Sequence, residues 1–357
     1  MSTSTLETTL TQSNPLAAAS REQVFDAFRR WGYLQAQLDP LQQYLPSQPL
    51  EELKQSGQLA DQARAIYCGS VGVEFMHMAD PDRRRWIQER MEVTAAAPDS
   101  QHALDLLVEA DIFEQVIQKR YLGTKRFSLE GVTALIPLLD TVLNSAAERF
   151  AEKVVMAMSH RGRLNVMVNT LGKSASAIFS KFEDADPRSS LGSGDVKYHV
   201  GATGTFRARS GKELGLHLAS NPSHLEAVDP VAMGRTYAKQ MRYGADGRDR
   251  VLPVIIHGDA AFAGQGIWAE TMNLGSLEGY SVGGGIQIIA NNLIGFTAEP
   301  DEYNSSRFSS DLARRLPIPI FHVNAEDIDA VLRVATLAVE YRYQFHTDVV
   351  IDLIGYR

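Results

Sequence analysis

The spacing of apolar residues changes near residue 150 of the chain. Before that point apolar positions recur every three or four residues, as at Val24, Phe25, Phe28 and Trp31, which is the spacing of an amphipathic helix. Further helical runs cover residues 82–93, 102–122 and 130–150. We therefore predict a helical domain over residues 21–150, preceded by a flexible tail over the Ser- and Thr-rich residues 1–20.

After residue 150, short β-type apolar runs alternate with longer helical runs. The β-type runs cover 154–159, 197–200, 213–219, 251–258, 284–292, 317–323 and 348–355. The helical runs include 226–241, 267–277 and 327–345. This alternation is typical of a parallel sheet covered by helices on both faces. We expect an α/β domain over residues 151–357, with its ligand-binding loops at one edge of the sheet.

Composition and charge narrow the range of partners and compartments. The 357 residues include 43 acidic and 35 basic side chains and carry a net charge of −8, so we expect no nucleic-acid partner. No apolar run reaches the ~18 to 20 residues of a membrane span, and residues 1–20 lack the pattern of a secretory signal or a mitochondrial presequence. A single cysteine, Cys68, excludes an intrachain disulfide and a Cys-based zinc site. These features predict a cytoplasmic protein without a membrane partner.

The strongest candidate chemistry lies in one strand–helix–strand unit over residues 251–297. Its first strand ends at Gly258-Asp259, a loop of small residues follows, and its second strand ends at Asn291-Asn292. Carboxylate and amide oxygens beside a helix start are suited to a magnesium ion shared with a diphosphate. A glycine-rich turn and an asparagine cap without a ligand would give the same residues. The Gly-Asp pair alone leaves both interpretations open.

The spacing and the surrounding blocks point to a known family. Asn292 follows Asp259 by 33 positions, which resembles the thiamine-diphosphate motif of Gly-Asp followed about thirty residues later by Asn. The blocks YCGSVGVEFMH (67–77), TKRFSLEG (124–131), HRGRLNVMVNTLGK (160–173), GSGDVKYHVGATGTF (192–206), NPSHLEAVDPV (221–231) and GDAAFAGQG (258–266) extend the match. From about Arg21 onward the chain resembles the decarboxylating first component of the 2-oxoglutarate dehydrogenase complex.

This resemblance implies a set of cofactor and metal ligands. Asp259, Asn292 and the main-chain carbonyl of Ile294 would bind magnesium, which holds the diphosphate of thiamine diphosphate. The backbone amides of Ala260 and Ala261 would meet the same diphosphate, because small side chains let the backbone approach it closely.

The resemblance also implies substrate and catalytic residues. His160 and His199 would contact the 2-oxo acid and act in catalysis, and both end predicted strand runs, MAMSH and KYH. An imidazole suits this role because it moves protons near neutral pH. Thr203 keeps the hydroxyl that some family members provide as a serine near the substrate, and His224 is expected at the cofactor. Structural, hydrogen-bonded histidines are the competing interpretation, and we assign that role to His217, since the family position aligns with Gly215.

Two further matching segments carry weaker predictions. Lys125, Arg126 and Glu130 could line a cofactor channel or form an ion-paired turn between helices, and we favour the turn. Glu74 and His77 are predicted to pack between helices.

The implied activity is the oxidative decarboxylation of 2-oxoglutarate in the tricarboxylic acid cycle. The succinyl unit would pass to a lipoyl group on a succinyltransferase partner, with dihydrolipoyl dehydrogenase as the third component and a homodimer as the assembly. In the family a pyrimidine-binding domain and a C-terminal domain follow the diphosphate-binding domain, so we expect these residues to form half of each site and to be inactive alone. A relative acting on 2-oxoadipate and a non-catalytic binding or regulatory fragment are the alternatives.

Overall fold

The computed structural model describes residues 15–93, 98–124, 126–183 and 196–357, and the strands among them form one sheet. The strands are β1 (Val71–Glu74), β2 (Lys153–Met158), β3 (Ala202–Arg207), β4 (Glu213–Leu218), β5 (Val251–Gly258), β6 (Ile286–Asn291), β7 (Ile320–Asn324) and β8 (Val349–Ile354). Their order across the sheet is β1-β7-β8-β6-β5-β2-β4-β3. Strands β7, β8, β6, β5, β2 and β4 are mutually parallel, whereas β1 and β3 pair antiparallel at the two margins. The predicted α/β class with a mostly parallel sheet is confirmed.

Helices cover both faces of this sheet. They are α1 (Pro15–Trp31), α2 (Gln58–Tyr67), α3 (Pro81–Met91), α4 (Ser100–Arg120), α5 (Leu135–Glu148), α6 (Arg163–Asn169), α7 (Ala175–Glu183), α8 (Val228–Gln240), α9 (Gly247–Arg250), α10 (Asp259–Gly264), α11 (Ile267–Leu274), α12 (Pro300–Tyr303) and α13 (Ile328–Phe345). Short 3-10 helices cover Gly32–Leu34, Glu51–Leu53, Val196–Tyr198, Met241–Asp246 and Ser309–Arg315. Among the described residues, no helix combines the length and the apolar character that crossing a bilayer requires.

The two faces of the sheet can be recognised in the alternation along its central strands. In β2, Val154 and Met156 join the core cluster that also contains residues of α5 and α13. Val155 and Ala157 point to the opposite face and pack with residues of α8. Alternation with a period of two is the geometry of a strand. Because both faces are covered, β5, β6 and β8 are buried almost throughout.

Two strands and one 3-10 helix differ from the sequence-based expectation. Strand β1 lies inside the region predicted to be helical, and β3 was not predicted. The run 197–200, predicted as a strand, instead contains the 3-10 helix Val196–Tyr198. Helix α1 starts at Pro15, within the segment predicted as a tail, while residues 1–14 lie outside the described residues. The main core cluster includes residues on both sides of position 150, and the division into two domains stays a prediction.

The expectation that Glu74 and His77 pack between helices was wrong. Glu74 ends strand β1, and its Oε1 lies 2.9 Å from Nε2 of His322 in β7. His77 Nε2 lies 3.2 Å and 3.0 Å from the carbonyl oxygens of Leu316 and Ile318. Carbonyl oxygens only accept, so this nitrogen carries the hydrogen. Both residues attach the N-terminal region to the β7 side of the sheet.

His322 is buried between two carboxylates. Its Nδ1 lies 3.0 Å from Oδ2 of Asp352 in β8, and its Nε2 faces Glu74. Burial alone would lower the pKa of His322, but the hydrogen bonds to Asp352 and Glu74 and the charges of these carboxylates raise it to about 9. The fold therefore contains an imidazolium that is stabilised only in the folded state.

This arrangement predicts a pH-dependent stability. The folded-state pKa of His322 lies above the ordinary value of 6.5, so its contribution is complete below pH 6.5 and is lost as the pH rises through about 9. Between these values the free energy of unfolding should fall by about 1.4 kcal/mol per pH unit for this one group. In H322Q the profile should be flatter by that amount, as measured by urea unfolding from pH 6.5 to 9. Equal slopes for the two proteins would contradict the assignment.

Candidate functional site

The carboxyl ends of β5 and β6 bring Asp259 and Asn292 to neighbouring positions at one edge of the sheet. Gly258, the last residue of β5, pairs in register with Ala290 of β6. Asp259 follows as the first residue of α10, and Asn292 comes directly after β6. Their exposed fractions are 3% and 2%. Two polar side chains are thus buried side by side where parallel α/β sheets usually bind ligands.

A tight loop places Ile294 next to this pair. A Cβ atom on Gly295 would lie 2.9 Å from Cβ of Ala260 and 2.9 Å from the ring of Tyr303, so the loop rests directly on the start of α10. Leu293, with a φ of 54°, is in the left-handed region, and its N–H donates to Oδ1 of Asn291 over 3.1 Å. Close packing of glycine against Ala260 therefore fixes the loop that carries Asn292 and Ile294.

Among the residues that the structure describes, no cation forms an ion pair with the carboxylate of Asp259. Burial raises its pKa to about 6, against the opposing effects of a hydrogen bond from the Tyr303 hydroxyl, the Ala260 amide and the charge of Arg161. The Tyr303 bond is 2.8 Å long. Removing a carboxylate from water without a cation is unfavourable, and a bound metal ion would remove that cost.

Asn292 and the adjacent glycines also fit a bound ion with a diphosphate. No described residue accepts a hydrogen bond from Nδ2 of Asn292, and a buried unpaired polar group costs about 1–3 kcal/mol. A Cβ atom on Gly258 or Gly264 would meet no atom within 4 Å, so the space beside α10 is open. Carboxylate and amide oxygens are the ligands magnesium accepts. The predicted residues Asp259, Asn292 and Ile294 therefore fit a magnesium ion at this edge.

The structure brings the two predicted histidines into direct contact. His160 follows β2 and His199 follows the 3-10 helix Val196–Tyr198, and their Nε2 atoms lie 3.3 Å apart. The Nδ1 atom of His199 lies 2.9 Å from the carbonyl oxygen of Asn221. That carbonyl only accepts, so Nδ1 of His199 carries a hydrogen and its Nε2, when the ring is neutral, accepts from His160. Phe127 stacks on His160 with ring centroids 5.0 Å apart.

Thr203 and His224 lie apart from this histidine pair. Thr203 is exposed in β3 and pairs in register with His217 of β4. His224 is exposed in the turn before α8. No hydrogen bond within the described ranges joins either residue to His160 or His199. His217 contacts Nη1 of Arg235, as suits the structural role assigned to it.

A buried acid–histidine cluster beside the site was not identified from the sequence. His257 precedes Gly258-Asp259, and its Nδ1 lies 2.6 Å from Oε2 of Glu226 and 3.7 Å from Oδ2 of Asp229. Its Nε2 lies 3.0 Å from Oε1 of Gln287. The 2.6 Å contact indicates a direct hydrogen bond, because two ligands of one metal ion with bonds of about 2.1 Å lie farther apart. The cluster is therefore a hydrogen-bonded ion pair that holds the 221–227 loop against β5.

The ionisation of this cluster follows from its burial. The carboxylates of Glu226 and Asp229 raise the pKa of His257 to about 9, although burial alone would lower it. Burial raises the pKa of Asp229 well above its ordinary value, while His257 lowers that of Glu226 despite burial. The imidazole of His257 thus faces two buried carboxyl groups whose pKa values shift in opposite directions, and the sequence contained no signal for this cluster beyond the residues themselves.

Two arginines also approach the site from the chain segments around it. Nη1 of Arg161 donates to the carbonyl oxygen of Ser128, and Nη1 of Arg357 donates to the hydroxyl of the same serine, over 3.3 Å and 2.9 Å. Burial and the charge of Arg357 lower the pKa of Arg161, whereas Asp259 opposes that shift. No motif in the sequence points to these two cations.

The predicted turn between helices is partly observed. Arg126 and Glu130 lie between α4 and α5 with Nη1 and Oε1 3.9 Å apart. Lys125, the third residue of that prediction, lies outside the described residues.

Comparison with known proteins decides the family. A profile of the Dehydrogenase E1 component family matches residues 107–357, which is more than half of the chain. The chain belongs to the dehydrogenase E1 component family. In this E1 chain the matched segment contains both the buried Asp259–Asn292 pair and the two contacting histidines.

Three relatives illustrate this membership. A protein of Mycolicibacterium vanbaalenii named multifunctional 2-oxoglutarate metabolism enzyme is 48% identical over 303 residues, covering 82% of this E1 chain and 24% of the relative. The 2-oxoglutarate dehydrogenase E1/E2 component of Corynebacterium glutamicum is 41% identical, with coverages of 94% and 30%. The 2-oxoglutarate dehydrogenase E1 component of Brucella canis is 45% identical, with coverages of 84% and 31%. The chain thus spans about a quarter to a third of these relatives.

The buried carboxylate of Asp259 predicts an unusual stability effect. Its folded pKa of about 6 exceeds the ordinary value of 3.8, so ionisation destabilises the ligand-free E1 chain above pH 6. D259N should therefore be more stable than the wild type at pH 8, by up to about 3 kcal/mol. The difference should shrink as the pH falls from 6 towards 4, as measured by chemical unfolding. A D259N chain that is less stable at pH 8 would refute the assignment of an uncompensated buried charge.

Proposed function

We propose that this chain forms the magnesium–diphosphate part of the thiamine-diphosphate site of a 2-oxoglutarate-decarboxylating dehydrogenase. The observation that carries the proposal is the buried pair Asp259 and Asn292 at adjacent strand ends. Within the described part of the chain, no cation pairs with the Asp259 carboxylate and no acceptor meets the Asn292 amide nitrogen. The relatives named for 2-oxoglutarate support the choice of substrate. The match of the E1 family over residues 107–357 supports the choice of cofactor.

In this proposal the metal is held by oxygen atoms of three residues. One oxygen of Asp259, Oδ1 of Asn292 and the carbonyl of Ile294 would bind magnesium. The backbone amides of Ala260 and Ala261 would bind the diphosphate, and the Ala260 amide also bonds Asp259 in the structure. The exposed His224 contributes to cofactor binding from the turn before α8.

The histidine pair supplies the substrate side of the proposed reaction. When bound, thiamine diphosphate supplies the electron sink that allows a 2-oxo acid to lose carbon dioxide. His199, with its Nδ1–H bonded to the Asn221 carbonyl, presents a basic Nε2, and His160 presents an Nε2–H. Such a pair can bind a substrate oxygen and transfer a proton to or from it. Phe127 excludes water from one face of His160, and Thr203 adds a hydroxyl at the margin of the substrate region.

Partners and compartment follow the same reasoning. We propose that the succinyl product passes to a lipoyl-bearing succinyltransferase of a complex that also contains dihydrolipoyl dehydrogenase, as the E1/E2 name of one relative suggests. We further propose a cytoplasmic homodimer whose complete sites combine the magnesium–diphosphate part with a pyrimidine-binding domain, so that turnover requires both.

Calorimetric titration of magnesium with thiamine diphosphate tests the proposed site. The 357-residue chain is titrated alone and with a separately expressed pyrimidine-binding domain, which should strengthen binding. D259A should abolish binding in both settings, because it removes the charged metal ligand. The exposed Asp301 of α12 provides the matched control, and D301A should bind like the wild type.

Three results would contradict parts of this function. Unchanged binding by D259A would refute the metal site. Decarboxylation of 2-oxoglutarate by the 357-residue chain alone would refute the incomplete site. Binding without decarboxylation of 2-oxoglutarate or 2-oxoadipate by the reconstituted pair would favour a non-catalytic role, and preference for 2-oxoadipate would change the substrate.

The histidine pair yields a separate prediction for the reconstituted enzyme. H199Q removes the basic Nε2 and should lower kcat by about 10²-fold or more, while leaving the affinity for magnesium and thiamine diphosphate unchanged. H217Q changes a histidine in strand β4 and serves as the matched control, which should retain wild-type turnover. Steady-state decarboxylation and calorimetry together measure both quantities. Equal turnover of H199Q and H217Q would exclude His199 from catalysis.

A further inference from the structure

A line of buried polar side chains crosses four adjacent strands of the sheet. Its members are Glu74 of β1, His322 of β7, Asp352 of β8 and Asn291 of β6, each at most 4% exposed. His322 contacts Glu74 over 2.9 Å and Asp352 over 3.0 Å. Asp352 Oδ1 in turn accepts from Nδ2 of Asn291 over 3.0 Å. We name these four residues the polar line.

The polar line ends at the loop of the proposed metal site. The side-chain oxygen of Asn291 accepts from the N–H of Leu293, whose backbone adopts a φ of 54°. This conformation is unfavourable for a leucine, and the hydrogen bond that the Leu293 N–H donates to Asn291 stabilises it. Between these two bonded residues lies Asn292, and Ile294 follows directly. The orientation of Asn291 thus controls the backbone that presents both proposed metal ligands.

Asp352 determines which way the amide of Asn291 points. An asparagine amide can turn so that its oxygen and nitrogen exchange places, but an ionised carboxylate only accepts hydrogen bonds. Facing Asp352, Asn291 must present its nitrogen there and its oxygen to Leu293. Asp352 is itself held because its second oxygen accepts from His322 and from the Ser310 hydroxyl, over 3.0 Å and 2.9 Å.

We propose that Asp352 is a positioning residue for the cofactor site, which acts through Asn291 to set the loop presenting Asn292 and the Ile294 carbonyl to magnesium. The inference rests on the proposed function for the identity of the ion. His322 contacts the second oxygen of Asp352 and connects Asp352 to Glu74 in the N-terminal region. Partners that orient metal ligands typically change metal affinity by about 10- to 100-fold when removed.

The chain offers a matched control at the other end of the same strand. Asp348, directly before β8, is also a buried carboxylate, and its Oδ1 accepts from the Gly285 N–H and from Nε2 of Gln287 over 2.9 Å and 3.0 Å. Removing Asp348 takes the acceptor from two buried donors, as removing Asp352 takes it from Asn291, His322 and Ser310. A general effect of losing a buried carboxylate in β8 or next to it should therefore appear in D348A as well as in D352A.

Hydrogen exchange of the ligand-free 357-residue chain provides the first measurement. In D352A the amide of Leu293 and the following loop to residue 298 should exchange at least tenfold faster than in the wild type, relative to the amides of β5. D348A should keep wild-type rates in this loop. D352N should fall between the two, because an asparagine oxygen can still accept from Asn291. D352N carries the test if D352A does not fold.

The second measurement is titration with Mn²⁺ and thiamine diphosphate, followed by water-proton relaxation. D352A should bind this pair 10- to 100-fold more weakly than the wild type, with D352N intermediate and D348A unchanged. Wild-type hydrogen-exchange rates of the loop in D352N and D352A would overturn the proposal. Faster loop exchange with an unchanged affinity for Mn²⁺ and thiamine diphosphate would also overturn it, and so would equal effects in D348A. Failure of the wild type to bind would instead refute the proposed function, and the exchange rates would still decide whether Asp352 positions the loop.

Discussion

The carboxylate of Asp259, buried at the end of a parallel strand, is the interaction on which the rest of the site depends. A parallel sheet covered on both faces excludes water from its strands, and β5 is buried up to the residue before Gly258. Asp259 thereby becomes a buried acid whose pKa rises to about 6. Its ionised form destabilises the folded, ligand-free protein. A bound cation would remove this destabilisation, so the local instability favours cation binding.

Two buried polar networks support this carboxylate from opposite sides of the strand pair. His257 with Glu226 holds the 221–227 loop to β5, immediately before Asp259. On the other side the polar line reaches Asn291, immediately before Asn292. Each network fixes the strand end that carries one proposed ligand. Precise ligand placement needs rigid neighbours, which explains why so many charged groups are buried near this edge.

The fold class and the central residues of the site could be predicted because they follow from local patterns. Strand and helix runs alternate after residue 150, and the spacing of Asp259 and Asn292 can be read directly from the sequence. Strand β1 could not be predicted, because four residues among helical runs give too little periodicity and its burial comes from pairing with β7. The run 197–200 has a strand-like composition, but Val196–Tyr198 form a 3-10 helix, and the next residue, His199, lies against His160.

Contacts between distant segments account for the other differences. Glu74 and His322 are 248 positions apart in the chain, and His322 and Asp352 are 30 apart, so only the strand order brings them together. The roles of all the proposed site residues stay predictions: His160, His199, Thr203, His224, Asp259, Ala260, Ala261, Asn292 and Ile294.

Anomalous diffraction from crystals of the protein grown with Mn²⁺ and thiamine diphosphate would locate the metal. We expect a manganese peak at bonding distance, about 2.1 Å, from a carboxylate oxygen of Asp259, the Asn292 side-chain oxygen and the Ile294 carbonyl oxygen. A peak among Glu226, Asp229 and His257, or a bound cofactor whose metal does not touch Asp259, would contradict it.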